Sequence, residues 1–203
     1  MNDIRFNKIL ILVNALVPLS LLALDAWRGS LGANPIEYFL RATGILTLVF
    51  LLLTLSVTPL RRTLRRNDLI KYRRMVGLIA FAYSFLHLTT YAVFDRSFDT
   101  SGIVTDVLQR PFIAVGMTAF LLMVPLALTS TGGMIKRVGG RNWARLHRLV
   151  YLIAILGVIH FWMIVKSDVF YPAIFAGCLL VLFAARIWPR GNTVGSGRTA
   201  REI

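Results

Sequence analysis

Two histidines inside apolar segments are the residues of this sequence best suited to chemistry. His87 lies near the middle of AFAYSFLHLTTYAVF, residues 80–94, and His160 ends the apolar stretch LIAILGVIH. A polar group in hydrocarbon is costly without a partner, so an ionisable residue in such a segment favours a functional site. Neutral imidazole is a common ligand for iron, and two imidazoles can hold one haem iron from opposite faces.

These segments must be membrane helices, because the chain has more apolar residues than a soluble domain of 203 residues can bury. Its composition is 57% hydrophobic and 16% charged. A helix needs about 17 to 20 apolar residues to cross a bilayer. Six runs meet that length, which predicts an all-α, polytopic membrane protein with six transmembrane helices. The runs are 9–24, 42–58, 75–94, 112–130, 149–165 and 171–187.

The two histidines occupy matching depths in this arrangement. His87 follows the start of the third run, Met75, by twelve residues, and His160 follows the start of the fifth, Leu149, by eleven. Odd-numbered helices run in the same direction, so both rings lie about 17 Å from the same end. We therefore expect the two imidazoles to face each other and to bind one iron.

The residues around each histidine suit a flat aromatic cofactor. Those at helical spacing from His87 are Tyr83, Ser84, Thr90 and Tyr91. Gly157 lies one turn before His160. That glycine either lets a ring plane approach the helix or serves close helix packing, and the sequence leaves both interpretations open.

The basic residues are distributed by membrane side. The net charge is +14, and 18 of the 23 Lys and Arg lie in 1–8, 59–74, 131–148 and 186–203. The other five lie in 25–41, 95–111 and 166–170. Because basic residues near helix ends stay in the cytoplasm, this asymmetry predicts that both termini are cytoplasmic. It accounts for the charge by topology and anionic membrane lipid, with no nucleic acid involved.

A third histidine, His147, lies at the predicted cytoplasmic mouth of the fifth helix. It precedes His160 by thirteen residues, about 20 Å along a helix axis. The position at that depth on the third helix is Arg74, which is not a haem ligand, so these two helices do not predict a second bis-histidine haem. Arg74 and His147, with Arg73, Arg145 and Arg148, could instead bind a flavin phosphate or a quinol, since guanidinium suits phosphate. A plain interfacial role for His147 remains the alternative.

The predicted domain organisation is simple. Residues 1–188 form the transmembrane domain, and residues 189–203 form a cytoplasmic tail that is rich in Gly, Ser and Thr and lacks an apolar period. That composition predicts disorder. No soluble segment is large enough for a nucleotide-binding domain, so any reductase chemistry that needs one must come from a partner.

The sequence resembles a known family through YRRMVGLIAFAYSFLHLTTY in the third helix and RNWARLHRLVYLIAILGVIHFW leading through the fifth. These stretches, with six helices and basic inner loops, resemble the haem-binding membrane subunits of bacterial protein-methionine-sulfoxide reductase systems over nearly the whole chain. More distantly, the chain is similar to the transmembrane domains of ferric reductases and NADPH oxidases, which implies a ferric-reductase-like haem bundle.

The resemblance implies a function. It implies haem b on His87 and His160, with FMN as a further cofactor toward the cytoplasmic side near His147. It also implies a multi-pass protein of the bacterial inner membrane that acts as an electron-transfer subunit rather than as the catalytic subunit. The implied acceptor is a periplasmic molybdopterin-containing methionine sulfoxide reductase that repairs oxidised proteins, and the implied donor is the quinone pool or a cytosolic flavin reductase.

Two other functions remain open from the sequence. One is a quinol or ascorbate cytochrome b with another acceptor, although such proteins usually use four histidines and this chain has three. The other is a haem-free transporter in which His87 and His160 relay protons. Helices interrupted at Pro18 and Pro125 would favour the transporter, whereas the absence of carboxylates from the six apolar runs is against it.

Overall fold

The computed structural model describes residues 3–165 and 167–187. Within these residues every regular element is helical, so the predicted all-α class is confirmed. The α-helices are α1 (Asp3–Trp27), α2 (Pro35–Thr63), α3 (Ile70–Thr90), α4 (Thr100–Gln109), α5 (Pro111–Leu128), α6 (Gly132–Val138), α7 (Gly140–Leu146), α8 (Leu149–Ile164) and α9 (Phe170–Ile187). The predicted tail, 189–203, lies outside the described residues.

Six helical segments of the described chain are long and apolar enough to cross a membrane. They agree with the six predicted runs, and the chain is a multi-pass membrane protein. The segments are Asp3–Trp27, Pro35–Thr63, Asn67–Asp95, Pro111–Leu128, Gly140–Ile164 and Phe170–Ile187. Large apolar side chains along α1, among them Ile9, Val13 and Leu21, are about half exposed, as expected for a face against lipid.

The core lies between two closely packed helix pairs, α2 with α3 and α5 with α8. Leu55, Ala80 and Ala154 are completely buried, and Ile153 is nearly so. Small residues at such positions let membrane helices approach closely, which increases their van der Waals contact. The two pairs bring α3 and α8, the helices that carry His87 and His160, into one bundle.

The helices are not broken at the two prolines that the transporter interpretation needs. Helix α1 continues through Pro18, and α5 ends at Leu128, three residues after Pro125. Membrane helices tolerate proline where nearby side chains satisfy the freed backbone groups. The expected interruption is therefore wrong at both positions.

One end of the bundle is important for the site. We call it the mouth end: the end at which α2 and α5 begin and α3 and α8 end. There α2 begins at Pro35 behind the Asn34 cap, whose side chain accepts from the Glu37 N–H at 3.2 Å. Helix α3 finishes in a wide π-helical turn, Tyr91–Asp95, and Pro111 opens α5, where the missing N–H costs nothing.

Candidate functional site

His87 and His160 face each other inside the bundle, as their matched depths predict. Their ring centroids are 6.2 Å apart, and the ring planes are nearly perpendicular, at 87°. Both side chains line the same cavity. The facing arrangement is confirmed, and the role of the two rings as iron ligands stays a prediction.

The separation of the rings fits one metal ion between them. Metal–imidazole nitrogen bonds are about 2.0 Å long, which places two ligating nitrogens on opposite sides of the metal about 4 Å apart and the ring centroids roughly 6 Å apart. The observed 6.2 Å agrees with that distance. No group of three or more His, Cys, Asp or Glu side chains in the described part of the chain could hold a metal. His87 and His160 would supply two imidazoles, a donor set that suits haem.

Backbone carbonyls on neighbouring helices fix both rings. The Nδ1 of His87 lies 3.0 Å from the Leu40 carbonyl oxygen on α2, and the Nδ1 of His160 lies 2.7 Å from the Phe112 carbonyl oxygen on α5. A carbonyl can only accept, so each Nδ1 carries the proton and donates. Each Nε2 therefore keeps a lone pair, which is the tautomer that a metal requires.

A glycine lies against each ring. A Cβ added at Gly44 would lie 3.2 Å from His87 Cε1, and one added at Gly116 would lie 2.7 Å from His160 Cε1. Each glycine comes four residues after the carbonyl that its ring contacts, so it occupies the next turn on the same helix face. A side chain at Gly116 would displace the His160 ring, whereas one at Gly44 would require the His87 ring to shift by only a few tenths of an ångström.

The cavity between the rings has a volume of about 520 Å³, within the range of cofactor pockets. Its wall is mostly apolar. At the end opposite the mouth it is lined by Leu51, Met123 and Ile153. The cavity therefore suits a cofactor with an extensive apolar surface, such as a porphyrin.

The predicted neighbours of His87 are only partly correct. Ser84 and Tyr91 line the cavity, whereas Tyr83 and Thr90 do not. Tyr83 points toward α1, where its hydroxyl donates to the Ala15 carbonyl, and the Thr90 hydroxyl donates to the Leu86 carbonyl of its own helix at 2.9 Å. Helix α3 packs against several elements, so spacing alone could not identify which of its faces lines the cavity.

Of the two roles that the sequence left open for Gly157, close helix packing is observed, and the approach of a cofactor ring stays a prediction. Gly157 lines the cavity, and a Cβ added there would lie 2.8 Å from the Leu48 side chain. Its close contact is therefore with a neighbouring helix. The two glycines that touch the imidazoles, Gly44 and Gly116, were missed. A signal for them is a glycine near the start of each of the apolar runs 42–58 and 112–130, which without the structure resembles ordinary helix packing.

His147 and Arg74 do not line the cavity of the histidine pair. The His147 ring stacks on Trp143, with centroids 3.9 Å apart, and its Nδ1 donates to the Trp143 carbonyl at 3.1 Å. Its Nε2 is buried and has no partner among the described residues. The structure thus separates His147 from the main site, and a cofactor role for His147 stays a prediction.

Arg186, which sequence reasoning also missed, joins three helices. Its guanidinium donates to the Leu55 carbonyl of α2 at 2.7 Å and to the Tyr151 hydroxyl of α8. It also lies over the Tyr151 ring, 4.9 Å from the centroid. These contacts attach α9 to the core.

Asp106 on α4 is the centre of a polar network at the mouth end. It is only 6% exposed. Tyr91 donates to it at 2.6 Å, Arg96 forms an ion pair with it, and Arg110 lies 3.3 Å away. The Tyr91 hydrogen bond, with the arginines, holds the pKa of Asp106 below its ordinary value. Because Tyr91 and Arg110 also line the cavity, the network braces the cavity wall.

Comparison with known proteins assigns the class that this bundle and its histidine pair define. Residues 38–158 match the family described as "Ferric reductase like transmembrane component", so the chain has a ferric-reductase-like transmembrane domain. "Protein-methionine-sulfoxide reductase heme-binding subunit MsrQ" of Herminiimonas arsenicoxydans is 50% identical over 183 residues, 89% of this chain and 84% of that protein. The protein of the same name from Rhodospirillum rubrum is 47% identical over 194 residues, 96% and 93% of the two chains. The chain belongs to the MsrQ family.

Proposed function

We propose that this chain is the haem-binding, electron-transferring membrane subunit of a methionine sulfoxide reductase system, with haem b held between His87 and His160. The observation that carries the proposal is the pair of facing imidazoles, 6.2 Å apart, each tied through Nδ1 to a carbonyl of another helix. The name of the relatives supports both the haem and the reductase system.

The residues of the chain have distinct roles in this proposal. His87 and His160 would hold the haem iron through Nε2, and the carbonyls of Leu40 and Phe112, by accepting from Nδ1, keep Nε2 unprotonated. The apolar wall keeps water away from the site. When bound, a haem with two protein ligands supplies one-electron transfer and offers no open coordination position for oxygen or substrate.

We propose that electrons pass outward through the bundle. The donor is quinol or a cytosolic flavin reductase, and the acceptor is a periplasmic molybdopterin-containing methionine sulfoxide reductase that repairs oxidised proteins. The distribution of Lys and Arg supports a location in the inner membrane with both termini cytoplasmic. In that orientation the mouth end, which has the fewest basic residues, is periplasmic, so the cavity opens toward the acceptor.

A second carrier, FMN or quinol, is proposed at the cytoplasmic end near His147 and Arg74. The supporting observations are that His147 lies apart from the cavity of the histidine pair and that basic residues surround it in the sequence. Arg74 would contribute charge toward a flavin phosphate. Measurement of flavin in the purified protein tests FMN as this carrier. The wild type should contain flavin that a His147→Ala variant loses, and equal flavin content in the two proteins would contradict an FMN site at His147.

The visible spectrum of the dithionite-reduced protein tests the haem site. We expect His87→Ala and His160→Ala each to abolish most of the low-spin haem signal. His147→Ala leaves both proposed ligands in place and should keep part of that signal while slowing reduction by the cytoplasmic donor. Retention of the signal in both ligand variants would contradict the proposal.

The acceptor is tested by electron transfer. Haem reduced in the purified subunit should be reoxidised when the periplasmic methionine sulfoxide reductase and its substrate are added, and the two proteins should copurify. If the reduced haem passes no electrons to that enzyme, the repair role is wrong, whereas the haem site itself is unaffected.

A further inference from the structure

The charges that line the cavity are all at one end. Five lining residues carry a carboxylate or a guanidinium group: Glu37, Arg41, Asp95, Arg110 and Asp168. All five lie at the mouth end, where α2 and α5 begin and the chain passes from α3 and α8 into loops. The two cations, Arg41 and Arg110, come from different helix pairs.

Each arginine is fixed close in sequence to a carbonyl that holds a ring. Arg41 directly follows Leu40, whose carbonyl accepts from His87. Arg110 comes two residues before Phe112, whose carbonyl accepts from His160. The same two backbone segments therefore set the positions of the rings and of the cations. One cation is supplied from each side of the space between the imidazoles.

We propose that Arg41 and Arg110 bind the two propionate carboxylates of haem and so set its orientation in the cavity. The inference rests on the proposed function, since it requires haem between His87 and His160. Haem carries both carboxylates on one edge and is otherwise apolar. A carboxylate is costly against hydrocarbon, so the propionate edge lies at the mouth end and the opposite edge lies against Leu51, Met123 and Ile153.

Both arginines keep donors for this task. Arg41 pairs with Glu37 at 2.6 Å and Arg110 with Asp106 at 3.3 Å, while their side chains are 67% and 52% exposed. A guanidinium has five N–H donors, and these pairs occupy few of them. The acidic side chains at the mouth repel an anion, so the arginines are also needed to offset Glu37, Asp95 and Asp168.

A comparison of haem with its dimethyl ester tests the assignment, because the ester lacks the carboxylates. The full-length protein in detergent is stripped of haem and titrated with each form. We expect the wild type to bind haem roughly three- to tenfold more tightly than the ester, since partly exposed ion pairs are screened by water. The double variant Arg41→Gln/Arg110→Gln should lose that preference.

Two further variants make the result specific. Arg28→Gln removes an exposed cation at the same end of the bundle that does not line the cavity, and it should keep the wild-type preference. Arg41→Lys/Arg110→Lys keeps both positive charges and should therefore keep part of the preference for haem over the ester. If the double glutamine variant still prefers haem as strongly as the wild type does, or if the wild type shows no preference, the proposal is wrong.

The reduction potential supplies a second readout. Loss of the two cations favours ferric haem, so the midpoint potential of the double glutamine variant should fall below that of the wild type, and the fall should be smaller when both carry the ester. An equal fall with haem and ester would overturn propionate binding. Failure of the wild type to bind haem at all would instead refute the proposed function, so the two failures are distinguishable.

Discussion

At the scale of single residues, the site depends on contacts that position two rings rather than on the rings alone. Each imidazole is held by a carbonyl on one side and by the bare backbone of a glycine four residues later in the same helix. Partners beyond the ligands commonly determine the tautomer and orientation of a metal-binding histidine. Gly44 and Gly116 therefore help to position the rings, because a Cβ at either position would crowd the facing imidazole.

Gly116→Ala should weaken haem binding by displacing His160. The added Cβ would lie 2.7 Å from Cε1 and 2.8 Å from Nδ1 of that ring, closer than real contacts allow, whereas at Gly44 the closest distance is 3.2 Å. We expect the haem content of purified protein to fall about tenfold or more for Gly116→Ala and less for Gly44→Ala.

The control for this pair is Gly177→Ala. A Cβ at Gly177 meets nothing within 4 Å, and alanine favours helix over glycine by about 1 kcal/mol, so this variant should bind haem normally. Equal haem content in Gly116→Ala and Gly177→Ala would show that the ring does not need its glycine.

At the scale of elements, the sequence predicts the helices and the ligand pair but not the contacts between helices. Long apolar runs identify the spans, and the shared depth of His87 and His160 predicts their facing. The acceptor carbonyls of Leu40 and Phe112 could not be predicted, because every residue has a carbonyl and only tertiary packing selects one. Tyr83 was assigned to the wrong face for the same reason: its partner, Ala15, is 68 residues away.

The network around Asp106 should make the mouth end sensitive to acid. Because the folded-state pKa of Asp106 is lowered, its contribution to stability is complete above the unfolded value of about 3.9 and is lost as pH falls through the folded value. We expect Asp106→Asn to melt at a lower temperature than wild type at neutral pH. Below about pH 4 the difference should shrink.

Thermal unfolding in detergent across that pH range is the measurement. The exposed Asp3 provides the control variant, Asp3→Asn, which should melt like wild type near neutral pH. A constant difference in melting temperature between wild type and Asp106→Asn at every pH would show that the charge of Asp106 is not what joins α4 to Tyr91, Arg96 and Arg110.

Arg186→Met should loosen α9. Methionine keeps much of the apolar stem but loses the hydrogen bonds to Leu55 and Tyr151, and hydrogen bonds from charged groups contribute about 1.5 to 3 kcal/mol each. We expect a lower melting temperature in detergent. The control is Arg145→Met, which alters an exposed arginine and should leave the melting temperature near that of the wild type. An equal decrease in melting temperature in both variants would count against the role of Arg186.

At the scale of the whole molecule, the unequal distribution of Lys and Arg predicts how the bundle lies in the membrane. Four inner helices, α2, α3, α5 and α8, supply the ligands and their carbonyl partners, while α1 and α9 flank them. The direction of this assembly determines which side receives electrons. The six spans alone would allow either orientation.

Cysteine labelling tests the orientation. After Cys178→Ser, single cysteines are introduced as Ala33→Cys and Gly133→Cys, two exposed positions at opposite ends of the bundle. With both termini cytoplasmic, a membrane-impermeant maleimide should label Ala33→Cys in spheroplasts and should label Gly133→Cys only after lysis. The reverse pattern would place the termini outside the cytoplasm.

The hydrogen bonds from His87 and His160 to α2 and α5 couple the site to its lipid surroundings. Bilayers thinner or thicker than the apolar spans are matched by helix tilt, at a modest cost per ångström. Tilting or sliding of α2 against α3, or of α5 against α8, turns an imidazole about its ligand bond, because the ring follows the carbonyl of the neighbouring helix. The spectrum of a bound metal would then report membrane thickness, and lipid composition would tune the driving force for electron flow.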